Sequence, residues 1–108
     1  MYIIVVGAGE VGTHLAKMLA KEYHDVTVID PDEEMLSHVT ATADVLTIQG
    51  SATSIKVLKE ANIKKADLFI AVAHSEETNI VSATLAKKLG AKKVIARIDK
   101  WEYLQPNN

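Results

Sequence analysis

The stretch from Tyr2 to Gly12 limits the fold more than any other part of this chain. An apolar, strand-forming run, Tyr2-Ile3-Ile4-Val5-Val6, breaks into Gly7-Ala8-Gly9-Glu10-Val11-Gly12 and passes at once into helix-spaced apolar residues. A G-x-G-x-x-G string alone says little. Between a buried strand and a helix, each glycine has a physical task. The first permits the tight turn, the second lets a diphosphate approach the backbone, and the third lets helix pack on strand. The unpaired N–H groups and the positive dipole end of the helix then form an anion site.

The rest of the chain repeats the strand-then-helix alternation. Val26-Thr27-Val28-Ile29, Val45-Leu46-Thr47-Ile48, Leu68-Phe69-Ile70-Ala71-Val72 and Lys93-Val94-Ile95-Ala96 read as further strands. Most are continuously apolar, as strands covered on both faces are. Between them, helical spacing recurs at Val11, Leu15, Met18 and Leu19, then at Met35, Leu36 and Val39. It recurs again at Ile55, Leu58 and Ala61, and at Ile80, Ala83, Leu85 and Leu89. Pro31 with Asp32, Glu33 and Glu34 suits a first helical turn, where proline needs no N–H partner and acids complement the dipole. Ser75 suits a cap before Glu76 and Glu77, and Lys87, Lys88 and Gly90 suit the far end of that helix.

Such alternation requires right-handed parallel crossovers. The predicted fold class is therefore α/β: a Rossmann-type doubly wound parallel sheet, five strands in order 3-2-1-4-5, with helices on both faces. At 108 residues the chain is expected to be one domain spanning 1–108. After the fifth strand, Trp101-Glu102-Tyr103-Leu104 reads as the opening of another helix, cut short by Pro106-Asn107-Asn108. A six-stranded dinucleotide fold would need that helix and one more strand, so a fragment of a longer protein is expected.

Charge and composition remove several function classes. The net charge of −2 supplies no basic footprint for nucleic acid. Zero cysteines exclude disulfides, thiolate zinc sites and thiol nucleophiles. The first apolar run is too short for a signal-peptide core, and no window approaches membrane-spanning length. A cytoplasmic location is expected, with no direct membrane insertion; any membrane role would run through a partner or through sequence outside this chain.

Asp30 ends the second strand, 23 positions after Gly7, near the spacing of the acid that hydrogen-bonds a ribose diol. Its carboxylate would repel a 2′-phosphate, and no arginine stands beside it, so NADP is disfavoured. In the predicted strand order, strands 1 and 4 flank the switch point. The segment Ala73-His74-Ser75-Glu76-Glu77-Thr78-Asn79 should then line the cleft beside the glycine loop. Gly50-Ser51-Ala52-Thr53 would border the adenine end, with helix capping as an equal reading for Ser51 and Thr53. Asp30, Glu10, Glu76 and Glu77 make this region acidic, and Arg97 is its nearby cation. A triphosphate would be poorly neutralised there, which favours NAD(H) over ATP. Arg97 would either reach a phosphate or pair with an acid such as Asp99. Among the histidines, His14, His24 and His38 fall on polar positions. His74 alone falls in the cleft, without the partner groups general acid–base chemistry requires, so neither catalytic residues nor a metal site is expected.

These residues resemble the N-terminal nucleotide-binding domain of TrkA-type subunits, the RCK or KTN family that regulates bacterial potassium transport. The resemblance runs from Tyr2 to about Tyr103. It rests on the glycine loop, Val28-Ile29-Asp30, Gly50-Ser51-Ala52-Thr53, Leu58 with Ala61, Ala66-Asp67, Glu77-Thr78-Asn79, and Ala96-Arg97 with Tyr103. Ser51 stands where the family usually has an acid, and His74 where it usually has a threonine; the family's sixth strand and regulatory domain lie beyond this chain. The resemblance implies a cytoplasmic peripheral subunit that binds NAD(H), with ADP or ATP as alternatives. It further implies a homodimer or higher homo-oligomer working with a membrane-embedded potassium transporter. The cofactor contacts expected are Gly7, Ala8, Gly9, Glu10, Val11, Gly12, Asp30, Pro31, Ser51, Ala52, Ala73, His74, Asn79 and Arg97. Two other readings compete: the cofactor-binding half of an NAD-dependent oxidoreductase, and a dimerisation module whose nucleotide site is vestigial.

Overall fold

A computed structural model of the chain describes residues 1–99, so the helix expected from Trp101 lies outside the described residues. Five parallel strands, β1 (Tyr2–Val6), β2 (Asp25–Asp30), β3 (Leu46–Gln49), β4 (Leu68–Ala71) and β5 (Val94–Ala96), form one sheet in the order β3-β2-β1-β4-β5. This is the predicted order. Helices α1 (Glu10–Lys21), α2 (Glu33–Thr42), α3 (Ile55–Glu60) and α4 (Glu76–Leu89) connect them, with a 3-10 turn at Ile63–Lys65 after α3.

Alternate residues of the central strands feed two cores. Ile4, Val6, Ile29, Phe69 and Ala71 pack with Leu58, Ile63, Ala83 and Ala86 on the α3–α4 side. Ile3, Val5, Val26, Val28 and Ile70 pack with Ala16, Leu36 and Val39 on the α1–α2 side. Burial on both faces is why these strands are continuously apolar in sequence.

The helix faces differ from the periodicity in an instructive way. α1 buries Gly12 and Ala16, whereas Val11 and Met18 remain 43% and 47% exposed. Small residues form the contact ridge because the third glycine draws the helix onto the strand, and the larger apolar residues are left at its flanks. α4 likewise turns Asn79, Ser82, Ala83 and Ala86 inward. At α2 the N-cap is Asp32, whose carboxylate accepts from Glu34 N and Met35 N; Pro31 precedes the cap instead of opening the helix. At α3 the cap is Ser54, which accepts from Val57 N. Ser75 caps α4 by accepting from Thr78 N, as its position predicts.

Helices α1 and α4 end in the same hydrogen-bond pattern with different residues at the left-handed position. After α4, Gly90 (φ 117°) takes it, with Ala91 N donating to Ala86 O at 3.0 Å. After α1, Tyr23 (φ 64°) takes it, with His24 N donating to Leu19 O at 3.1 Å. A side chain at that position is sterically penalised, and Tyr23, at 95% exposure, recovers nothing by packing. Tyr23→Gly is therefore expected to stabilise the chain by about 1 kcal/mol, raising the melting temperature by several degrees. Thermal unfolding followed by circular dichroism checks this.

The N-terminal edge of the sheet is closed by polar contacts. Tyr2 OH donates to the Ala61 carbonyl and lies 2.9 Å from the Thr27 hydroxyl, linking β1, β2 and the end of α3. Tyr2 N donates to Asp67 Oδ2 at 2.8 Å, and Lys92 Nζ reaches Asp67 Oδ1 at 3.1 Å. The Tyr2 amide first, and the Lys92 ammonium second, hold the Asp67 carboxyl below its usual value of 3.8. A depressed folded-state value stabilises the fold above the unfolded one. The contribution is lost only as pH falls below about 3.8 and through the depressed value. Asp67→Asn should thus lower stability at neutral pH and flatten its fall in this acid window, read from melting temperatures between pH 2 and pH 7.

Candidate functional site

The three glycines of the loop meet different surroundings. A Cβ on Gly12 would lie 1.7 Å from the Gly7 carbonyl oxygen, so the helix rests directly on the turn. Gly7 has φ +106°, and a Cβ there would lie 2.9 Å from the Ala73 Cα. Beside Gly9 a Cβ would meet nothing within 4 Å. The first and third glycines are therefore consumed by packing, while the second borders open space. Gly9 is also the N-cap of α1 and puts no side chain onto the first turn. The N–H groups of Glu10, Val11 and Gly12 have no carbonyl one turn back and remain donors at the head of the helix.

Asp30, at the end of β2, is held toward this loop. Its Oδ2 accepts from Ala8 N and its Oδ1 from Asp32 N, each at 2.8 Å. Each carboxylate oxygen retains a second lone pair, enough to accept from the two hydroxyls of a ribose. The Ala8 side chain is buried in the α1–α2 core, so Ala8 serves the loop through its backbone. Thr13 supports it from below, its hydroxyl donating to the Ala8 carbonyl at 3.1 Å. Sequence reasoning misses Thr13 and Asp32. The available signals were a hydroxyl one position after the third glycine and an acid immediately before a helical run.

The switch point forms as expected, because β1 and β4 are neighbours and Val72 N donates to Val6 O at 2.9 Å. Ala73 leaves β4 against Gly7. His74 and Pro31 are exposed, as are Glu10 and Val11. Ser51 is exposed at the end of β3, its hydroxyl 2.7 Å from that of Thr53 and accepting from Thr53 N. Neither caps α3.

Two of the expected contact residues have their side chains turned inward. Ala52 is buried in the α3–α4 core, drawn there by its apolar side chain, and presents no side chain to the cleft. Asn79 is fully buried, and its carboxamide is spent on backbone: it accepts from Ala73 N at 2.7 Å and donates to Ala73 O at 3.0 Å and to Arg97 O at 3.1 Å. It shapes the cleft without lining it. Arg97 leaves β5 with Nε 3.2 Å from Asp99 Oδ2. The angle makes no hydrogen bond, so this buried Nε lacks one among the described residues.

Comparison with known proteins now decides the family. The TrkA-N domain model matches residues 3–106. The chain belongs to the TrkA-N domain family. A Trk system potassium uptake protein TrkA homolog of Archaeoglobus fulgidus is 45% identical over 104 residues, covering 96% of this chain and 23% of that protein. The TrkA homolog of Methanothermobacter thermautotrophicus is 40% identical, over 91% of this chain and 45% of its own length. Haemophilus influenzae TrkA is 41% identical, over 97% and 23% respectively. The chain thus spans less than half of these relatives. Among solved structures, the Shewanella denitrificans Kef CTD in AMP-bound form superposes with a TM-score of 0.76 at 21% identity, covering 96% of this chain and 65% of that one. The TrkA-N domain of the Escherichia coli inner membrane protein ybaL gives 0.63 at 14% identity, covering 95% and 90%. These likenesses establish the fold of the TrkA-N domain here. Among the described residues no helix is long and apolar enough to cross a membrane.

Proposed function

We propose that this TrkA-N domain binds an adenine nucleotide, NAD(H) foremost, and that binding regulates a potassium transport system without chemical turnover. The observation that carries the reading is the pairing of two features at one point: open space beside Gly9 at the head of α1, and Asp30 fastened to the same loop through Ala8. Backbone N–H groups there are donors for a diphosphate, and the Asp30 carboxylate is an acceptor for a ribose. Ser51 and His74 border the outer cleft, and Arg97 is held beside Asp99 at the exit of β5. Both kinds of comparison support the setting. The Kef neighbour is AMP-bound, and the sequence relatives are potassium uptake proteins.

Regulation then follows from differential binding. A nucleotide that fits one arrangement of subunits better shifts the population toward it, and a membrane-embedded potassium transporter senses the shift. The domain would act as part of a cytoplasmic homo-oligomer, attached to the membrane through that partner.

Calorimetry of this chain against NADH, NAD, ADP, ATP and NADPH tests the binding half. NADH should bind at least about 10-fold tighter than NADPH, because a 2′-phosphate beside Asp30 meets like charge worth one to a few kcal/mol at short range. Absence of heat with every nucleotide would overturn the reading, whereas turnover of a small substrate by the longer protein would favour an oxidoreductase.

A further inference from the structure

The fully buried carboxamide of Asn79 ties the exits of β4 and β5 together beyond the backbone bond from Arg97 N to Ala71 O at 2.9 Å. One is Ala73, two residues beyond β4 and packed against the glycine loop; the other is Arg97, where the chain leaves β5. Both N–H groups and the oxygen of the amide are engaged, at 3.0, 3.1 and 2.7 Å. Neither segment can move alone without leaving a buried amide group unpaired, the costly outcome for a polar group out of water. Ala73 is also the residue that Gly7 touches most closely, since a Cβ on Gly7 would lie 2.9 Å from the Ala73 Cα and N. A continuous chain of tight contacts therefore runs from the glycine loop through Ala73 and Asn79 to Arg97.

We propose that Asn79 is a positioning residue that couples the nucleotide cleft to the exit of the fifth strand: its amide clamps Ala73, packed against Gly7, to the Arg97 carbonyl, so a nucleotide settling on the glycine loop is felt where the chain leaves β5. This rests on the nucleotide reading of the cleft and adds the route by which its occupancy leaves the cleft. The identity of the side chain follows from the need for a donor–acceptor pair. Aspartate could still accept from Ala73 N, but it would set a second oxygen against two carbonyls.

Nuclear magnetic resonance on the 15N-labelled chain tests the coupling. In the wild type, NADH should move the Asn79 side-chain amide and the Arg97 and Ile98 backbone amides along the same saturation curve as Gly7, Gly9 and Gly12. In Asn79→Asp at saturating NADH, the glycine amides should still respond, and the response should be lost at Ile98 and reduced at Arg97, whose N–H keeps its bond to Ala71 O. Wild-type shifts confined to the glycine loop, or an Ile98 response that survives Asn79→Asp, would overturn the coupling while leaving the nucleotide site intact. A lack of any NADH response would count against the site itself. The coupling is then decided without ligand: Gly7→Ala, which pushes on Ala73, should shift the Asn79 side chain and the Arg97 amide. A Gly7→Ala spectrum unchanged at both overturns it. Should Asn79→Asp fail to fold, the wild-type titration and Gly7→Ala still decide.

Discussion

Gly12→Ala is expected to be the most destabilising of the glycine-loop substitutions, at about 3 kcal/mol. The added methyl would lie 1.7 Å from the Gly7 carbonyl oxygen and 2.8 Å from its carbon, and both atoms belong to backbone that cannot rotate aside. Relief requires α1 to rise off the turn. That movement pulls Ala16 from the α1–α2 core and breaks the alignment of the first helical turn with the open space at Gly9. Overpacking a tight interior usually costs about 1–3 kcal/mol, and a backbone clash of this depth belongs at or above the upper end. For a chain of this size about 3 kcal/mol lowers the melting temperature by roughly 12–24 °C. Gly9→Ala, with open space around its Cβ, should lower stability by much less, while weakening nucleotide binding by filling the approach. Thermal melts of the two variants side by side separate a packing glycine from a ligand-facing one.

Asp30→Ala should weaken NADH binding by about 10- to 100-fold. The estimate follows from losing one or two charge-assisted hydrogen bonds to ribose hydroxyls at about 1.5–3 kcal/mol each, discounted for partial exposure, with 1.4 kcal/mol per decade. The same carboxylate also organises the protein, since Ala8 N and Asp32 N both donate to it. The alanine variant should therefore be less stable by about 1–2 kcal/mol as well. Asp30→Asn separates the two tasks. It keeps one oxygen for the loop but removes the negative charge, so discrimination between NADH and NADPH should shrink. A purely structural Asp30 would leave that ratio unchanged when both affinities are measured by calorimetry.

Much of this architecture can be read from the residues, and the reasons are physical. Strands buried on both faces must be continuously apolar, so Tyr2 to Val6 and Leu68 to Ala71 announce themselves, and right-handed crossovers then order the sheet. The glycine roles are legible because each depends on the absence of a Cβ. Helix faces are less so. Periodicity assigns Val11 and Met18 to the core, but the closest approach belongs to Gly12 and Ala16, and a pattern of apolar residues carries no information about which ridge gets nearest. Polar residues are hardest. Asn79 reads as a cleft residue on its position after β4. Only the placement of Arg97 beside Ala73, a product of the β4–β5 pairing, reveals a buried staple. Caps shift by a residue or three for a similar reason. Asp32 and Ser54 outcompete Pro31, Ser51 and Thr53 because chain direction leaving the sheet decides where the first helical turn begins.

The most direct measurement is an experimental structure of this chain grown with NADH. The account predicts diphosphate oxygens about 3 Å from backbone N–H groups at the head of α1, over Gly9, with ribose hydroxyls on the Asp30 carboxylate. A dinucleotide seated elsewhere, or Asp30 directed away from a bound sugar while the glycine loop stays bare, would contradict it.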